Sequence, residues 1–157
     1  YTGQNIGAGN QHRVNEGLKT SMILSVGCCI IVGILLYPTS GFMMRMFSQN
    51  PEVIAAGVAY LHDVLPFYFL LAGSFMFNSV LRGAGDMVVP MISSFISLWL
   101  ARLPAAYLIA HFFSKESIYY SYAVGWVLGL MISGIYYASG KWKNKSIVAK
   151  MKSEENR

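Results

Sequence analysis

Groups that do acid–base or nucleophilic chemistry are scarce in this chain. Seven Asp and Glu and three His are spread over 157 residues, with His12, His62 and His111 far apart. No carboxylate pair and no nucleophile–base set appears, so the chain does not read as an enzyme. The two cysteines, Cys28 and Cys29, are adjacent in an apolar run. Neighbouring residues cannot form an ordinary disulfide, and two thiols with no Cys or His nearby make no metal site. Both read as small packing residues, and no metal or cofactor is expected. Charge is thin too, at 12% against about 25% for a soluble domain. The net charge of +5 does not point to nucleic acid, because the basic residues sit in short segments between apolar runs. The chain also lacks an initiator Met and a basic-then-apolar leader. Tyr1 opens a short polar stretch that reads as the tail of a helix cut from a longer protein.

What is abundant is apolar surface, 55% of residues. Val64 to Leu81 is an uncharged run about as long as a bilayer crossing, which takes about 20 residues as a helix. It ends in Leu81-Arg82-Gly83-Ala84-Gly85-Asp86. Arg82 arrives where lipid gives way to headgroups, Gly83 and Gly85 permit the helix to end, and Asp86 is placed to cap the next one. This predicts a tight hairpin between two membrane helices. Three further runs repeat the plan, so the chain reads as an all-α membrane protein with four complete spans and the end of a preceding one, in contact with membrane lipid.

In chain order, the Gly-rich start 1–16 reads as a helix end and a loop. No strand precedes it and no Gly-Lys-Ser/Thr follows, which argues against a phosphate loop. The first span lies within Leu18 to Met44, with Gly17, Ser21, Ser25, Cys29 and Gly33 four apart in one file. Such stripes let helices approach closely in lipid. Pro38 and Gly41 should break or kink this span near its far end, leaving Phe42 to Phe47 as an interfacial segment. The second span, Val53 to Arg82, should kink at Pro66. Its polar residues Asp63, Ser74, Asn78 and Arg82 share a face with Phe67, which is either a packing interface or the wall of a water-filled cavity. Both readings turn it away from lipid.

The third span, Met87 to His111, contains Arg102 and Pro104. Arg102 lies roughly 22 Å from the Met87 end, inside a core about 30 Å thick. The fourth, Ile118 to Ser139, carries a second file of small residues: Ser121, Gly125, Gly129 and Ser133. Tyr119, Tyr120 and Tyr122 at one end, and Tyr136, Tyr137 and Trp142 at the other, read as aromatic belts. Reflection about the Gly85 bend places Asp63 within reach of a snorkelling Arg102. Arg102 is therefore expected either to pair with Asp63 near the outer mouth, where the pair could act as a gate, or to bind carbonyls freed by Pro104 or reach the headgroups alone. Lys and Arg are concentrated on the side of the start, the Arg82 bend and the tail, which predicts that these face the cytoplasm. Gly-Ala-Gly occurs twice, at residues 7–9 and 83–85, as would suit a fold that repeats a tight hairpin.

On these residues the sequence resembles the multidrug and toxic compound extrusion transporters. The likeness is carried by Gln4-Asn5-Ile6-Gly7-Ala8 at a helix end and by Phe47-Ser48-Gln49-Asn50-Pro51-Glu52-Val53 before a helix. Leu81-Arg82-Gly83-Ala84-Gly85-Asp86, then Trp99, Arg102 and Pro104, complete it. It implies a twelve-helix protein of two lobes, of which residues 1–142 supply the end of the eighth helix and the ninth to twelfth, and 143–157 a polar cytoplasmic tail. It implies a cell-membrane exporter of small organic, often cationic, compounds in exchange for Na⁺ or H⁺, completed by an N-terminal lobe. Some sodium-coupled relatives carry an acid mid-way along the tenth helix. Here that level is apolar, at Leu70 and Leu71, and Asp63 lies further out, so this segment alone is not expected to bind the coupling ion. Two alternatives stand beside the exporter: a lipid-linked saccharide flippase of the same superfamily, and a non-transporting membrane subunit.

Overall fold

The computed structural model describes residues 1–113 and 115–145. Four helical stretches are long and apolar enough to cross a membrane: Gln11–Phe47, Pro51–Gly83, Val88–Phe112 and Ser117–Ala138. A short helix α1 (Thr2–Gly7) precedes them. The first span is one helix, α2 (Gln11–Phe47). The second is α3 (Pro51–Val64) and α4 (Tyr68–Gly83), joined by a 3₁₀ turn at Leu65–Phe67. The third is α5 (Val88–Phe95) and α6 (Leu103–Phe112), joined by a π-helical turn at Ile96–Arg102. The fourth is mainly α7 (Tyr120–Ala138). Among the described residues there is no strand, and the chain is an all-α membrane protein.

The two Gly-Ala-Gly units end their helices in the same way. Gly9 and Gly85 are both left-handed, with φ of 71° and 87°. The Asn10 N–H donates to the Asn5 carbonyl, and the Asp86 N–H to the Leu81 carbonyl. This is the Schellman closure, in which a left-handed glycine lets the next residue satisfy a carbonyl of the last turn. The start of α1 packs against the second of these ends: a Cβ on Gly83 would lie 2.8 Å from Thr2 Cβ. Around them Ile6, Val14, Leu18, Val80, Leu81, Ala84 and Trp142 form a buried cluster. The chain start, the Arg82 bend and the end of the fourth span thus meet at one end of the bundle.

Three expectations fail here for identifiable reasons. Pro38 does not end the first helix, so Phe42 to Phe47 continues it. Carbonyls around the proline find other donors: Thr39 Oγ1 donates to the Leu35 oxygen at 2.6 Å, and Ser40 Oγ to the Tyr37 oxygen at 2.9 Å. His62 Nε2 lies 3.0 Å from both the Tyr37 oxygen and Ser40 Oγ. A carbonyl only accepts, so Nε2 carries the proton. Such side-chain donors are how a membrane helix tolerates proline.

The residue in the cap position of α5 is Met87. Asp86 is 3% exposed and accepts from the Tyr136 hydroxyl at 2.5 Å. Tyr137 donates to Asn15 Oδ1, and the buried Trp142 donates its indole N–H to the Tyr137 oxygen. Through these hydroxyls Tyr137 ties the fourth span to the first and Tyr136 ties it to the Arg82 bend.

The first small-residue stripe does not pack against a neighbour along its length. Ser21 is exposed and a Cβ on Gly33 would meet nothing within 4 Å. Most of the expected polar tail, 146–157, lies outside the described residues.

Candidate functional site

The second stripe closes completely. Ser121, Gly125, Gly129 and Ser133 are all buried, and they admit the fourth span between the second and the third. A Cβ on Gly125 would come within 2.9 Å of the Ser97 carbonyl oxygen, and one on Gly129 within 3.2 Å of Ser97 Oγ and 3.3 Å of Ser74 Oγ. Only hydrogen fits without displacement.

Close approach brings polar groups together in a seam. Ser133 Oγ donates to Asn78 Oδ1 at 2.8 Å. Ser93 Oγ lies 2.9 Å from Ser133 Oγ and 3.2 Å from the Gly129 carbonyl oxygen. One turn on, Ser97 Oγ donates to the Gly125 oxygen at 2.6 Å. Asn78, Ser93 and Ser133 are buried at 5%, 0% and 0% exposure. Buried polar groups in hydrocarbon are unfavourable unless paired, so the seam fixes which helix faces meet. Ser93 and Ser97 were not singled out in the sequence. Their signal was the one-turn spacing they share with Gly125 and Gly129.

Beside the seam lies a cavity of about 140 Å³, whose lining includes Ser74, Asn78, Ser97, Arg102, Tyr122 and Trp126. Phe75 and Leu98 at its rim are each 53% exposed, so it opens between the second and third spans. Of the five candidate cavity or gate residues, the structure brings Ser74, Asn78 and Arg102 to this one space. It does not bring Asp63 and Phe67 there.

The expected Asp63–Arg102 pair is not made. Arg102 places its guanidinium 3.5 Å from the Tyr122 ring centroid. Asp63 accepts from the Tyr120 hydroxyl at 3.4 Å, and Phe67 meets the Tyr120 ring edge-on. The expectation assumed that hairpin neighbours stay adjacent along their length. The fourth span instead packs against both of them and supplies a tyrosine to each charge.

Arg102 ends the π-helical turn, and Pro104 stands in the first turn of α6. Proline has no N–H and its ring clashes with the carbonyl four residues back. The wider turn accommodates that defect and is of a kind frequent at functional sites. Of the remaining motif residues, Gln4, Asn5 and Gly7 belong to α1, where Asn5 Nδ2 donates to the Tyr1 oxygen at 2.9 Å. Arg82 is exposed at the bend. A larger crevice, about 400 Å³, lies between the first and second spans near Pro38 and Pro66. Its side chains are mostly apolar, with little to orient a ligand. Among the described residues no group of His, Cys, Asp and Glu is arranged to hold a metal ion.

The MatE family model matches residues 1–108, which include the first two spans and most of the third, with Arg102. The chain belongs to the MatE family. Relatives extend the match into the fourth span. It is 28% identical over 153 residues to the probable multidrug resistance protein NorM of Thermotoga maritima, covering 95% of this chain and 32% of that protein. It is 27% identical over 141 residues to the probable multidrug resistance protein YpnP of Bacillus subtilis, covering 90% and 32%. The match to multidrug and toxin extrusion protein 1 of Xenopus tropicalis is 26% over 140 residues, covering 85% and 22%. The chain thus spans about a third of the length of the first two. No solved structure matches.

Proposed function

We propose that this MatE chain is part of a secondary active exporter of small organic compounds, driven by the counterflow of Na⁺ or H⁺. The observation that carries the reading is the cavity at Ser74, Asn78 and Arg102, a space with polar groups on one part of its wall within membrane-spanning helices. A bundle built only to pack has no use for an arginine and an open cavity at that depth. The relatives named for multidrug resistance support the same reading.

In this reading the chain supplies most of a C-terminal lobe, and a second lobe of a twelve-helix protein faces it across a central path. Alternating access then comes from movement of one lobe against the other. The protein resides in the cell membrane, with the Arg82 bend and the C-terminus in the cytoplasm, as the basic residues at that end favour. Substrates are small organic molecules, cationic ones included. The coupling ion is bound outside this chain, as the apolar residues Leu70 and Leu71 at mid-depth of the second span favour.

The test is dye efflux from proteoliposomes holding the longer protein, under an imposed Na⁺ or proton gradient. Efflux that requires one of the gradients is expected. Gradient-independent leakage, or no dye movement under either gradient, would sink the proposal.

A further inference from the structure

Between Val88 and Phe112, Arg102 is the only Lys, Arg, Asp or Glu. It lies roughly 21 Å along the helix from Val88 and 15 Å from Phe112. An arginine at such depth needs a counter-charge or a route to water, and among the described residues no salt bridge reaches it. Asp63 is turned to Tyr120, and Asp86 is buried at the other end against Tyr136. The contact with Tyr122 uses the ring's face and consumes none of the five guanidinium N–H donors. Among the described residues no ion pair engages Arg102.

The rest of the polar lining is also rich in donors. Asn78 accepts from Ser133 through Oδ1, a bond that does not use its NH₂ group. Ser74 adds a hydroxyl at 9% exposure. No carboxylate is among the described residues that line the space. A volume of about 140 Å³ is well below the roughly 300 Å³ at which drug-sized pockets begin. It has room for one small group. One fixed positive charge matches one negative charge, and a guanidinium fork fits the two oxygens of a carboxylate.

We propose that this cavity is a carboxylate-binding site, in which Arg102, assisted by Ser74 and Asn78, receives a single carboxylate group. The group comes either from a transported compound or from an Asp or Glu of the longer protein outside this chain. The binding chemistry is the same in both cases. Only the first source rests on the exporter reading, to which it would add acidic or zwitterionic compounds.

Sodium acetate is the probe, measured by saturation-transfer NMR on the 157-residue chain in lipid nanodiscs in which its helical circular dichroism and a cooperative thermal melt establish that it is folded. Saturable acetate binding is expected, weakened at least about tenfold in Arg102→Gln, the loss of one charge-assisted hydrogen bond or more. Arg102→Lys should retain part of it. Ser74→Leu keeps the charge and fills the cavity, and it should also abolish binding, so a misfolded Arg102 variant cannot decide the result alone. No saturable binding to the wild-type chain, or binding unchanged in both Arg102→Gln and Ser74→Leu, would overturn the site.

The same titration on the longer protein separates the sources. Acetate that still binds points to a solute's carboxylate, and acetate excluded there but bound by the chain points to an acidic side chain already in place. Dye efflux is scored independently. Arg102-dependent acetate binding without efflux keeps the site and removes the exporter. Efflux with no acetate binding to the chain does the reverse.

Discussion

Arg102 rests its guanidinium 3.5 Å from the centroid of the Tyr122 ring, with Asp63 held separately by Tyr120. The third span therefore presents its charge to the fourth, and the second span does the same with its carboxylate. A cation over an aromatic face is worth about 0.5–2 kcal/mol, more as water is excluded. The arrangement lets a charged group stay at membrane depth with its hydrogen-bond donors left unused by the ring.

The contact predicts a graded response at position 122. Tyr122→Phe keeps the ring and should be close to neutral, whereas Tyr122→Leu should lower stability by about 1–2 kcal/mol. Thermal unfolding in detergent would check this. Equal effects from the two changes would remove the ring–cation contact from the account.

Charge exchange between Asp63 and Arg102 should not be self-correcting. Each single change, Asp63→Arg and Arg102→Asp, should cost stability. The double variant should show the sum of the two losses, since the groups do not touch. A double variant restored well above that sum would mean the two residues pair after all.

Glycine in the two stripes should behave in opposite ways. A Cβ on Gly125 meets the Ser97 carbonyl oxygen at 2.9 Å, and one on Gly33 meets nothing within 4 Å. Gly125→Ala should cost about 1–3 kcal/mol through overpacking. Gly33→Ala should be neutral or stabilise by up to about 1 kcal/mol, as expected in a helix interior. Melting midpoints of the two variants decide it, and equal shifts would contradict the packing described.

The serine–asparagine seam should couple energetically. In a double-mutant cycle between Asn78→Ala and Ser133→Ala, the interaction should be about 0.6–1.7 kcal/mol, the range for hydrogen bonds between membrane helices. Strict additivity would mean that the 2.8 Å bond contributes nothing.

Spans, bends and one packing face were legible because each rests on local chemistry. Gly-Ala-Gly signals a left-handed helix end wherever it falls, and Pro66 produced the 3₁₀ turn at Leu65–Phe67. Ser121 to Ser133 announced a small face, and so did Gly17 to Gly33, yet only the first of these files is buried. Spacing tells which face is small but not whether a helix lies beside it. The Asp63–Arg102 error has the same origin, because the fourth span's place between the other two is a tertiary fact. Ser93 and Ser97 looked like ordinary apolar-span serines until the carbonyls of Gly125 and Gly129 were seen opposite them. Pro38 misled because its effect depends on Thr39, and on Ser40 and His62 brought together from two spans.

Accessibility of the second span's polar face tests the central claim most directly, that this face lines a water-filled cavity as well as packing. With Cys28 and Cys29 replaced by Ala, Ser74→Cys should react with a membrane-impermeant thiol reagent in the longer protein, since a thiol reacts as the hydrated thiolate. Leu81→Cys, at a site of 0% exposure, is the buried reference. The account predicts labelling at position 74 well above that reference and slowed further by a bulky transported dye. Labelling at position 74 no faster than at position 81 would make the seam a packing interface alone.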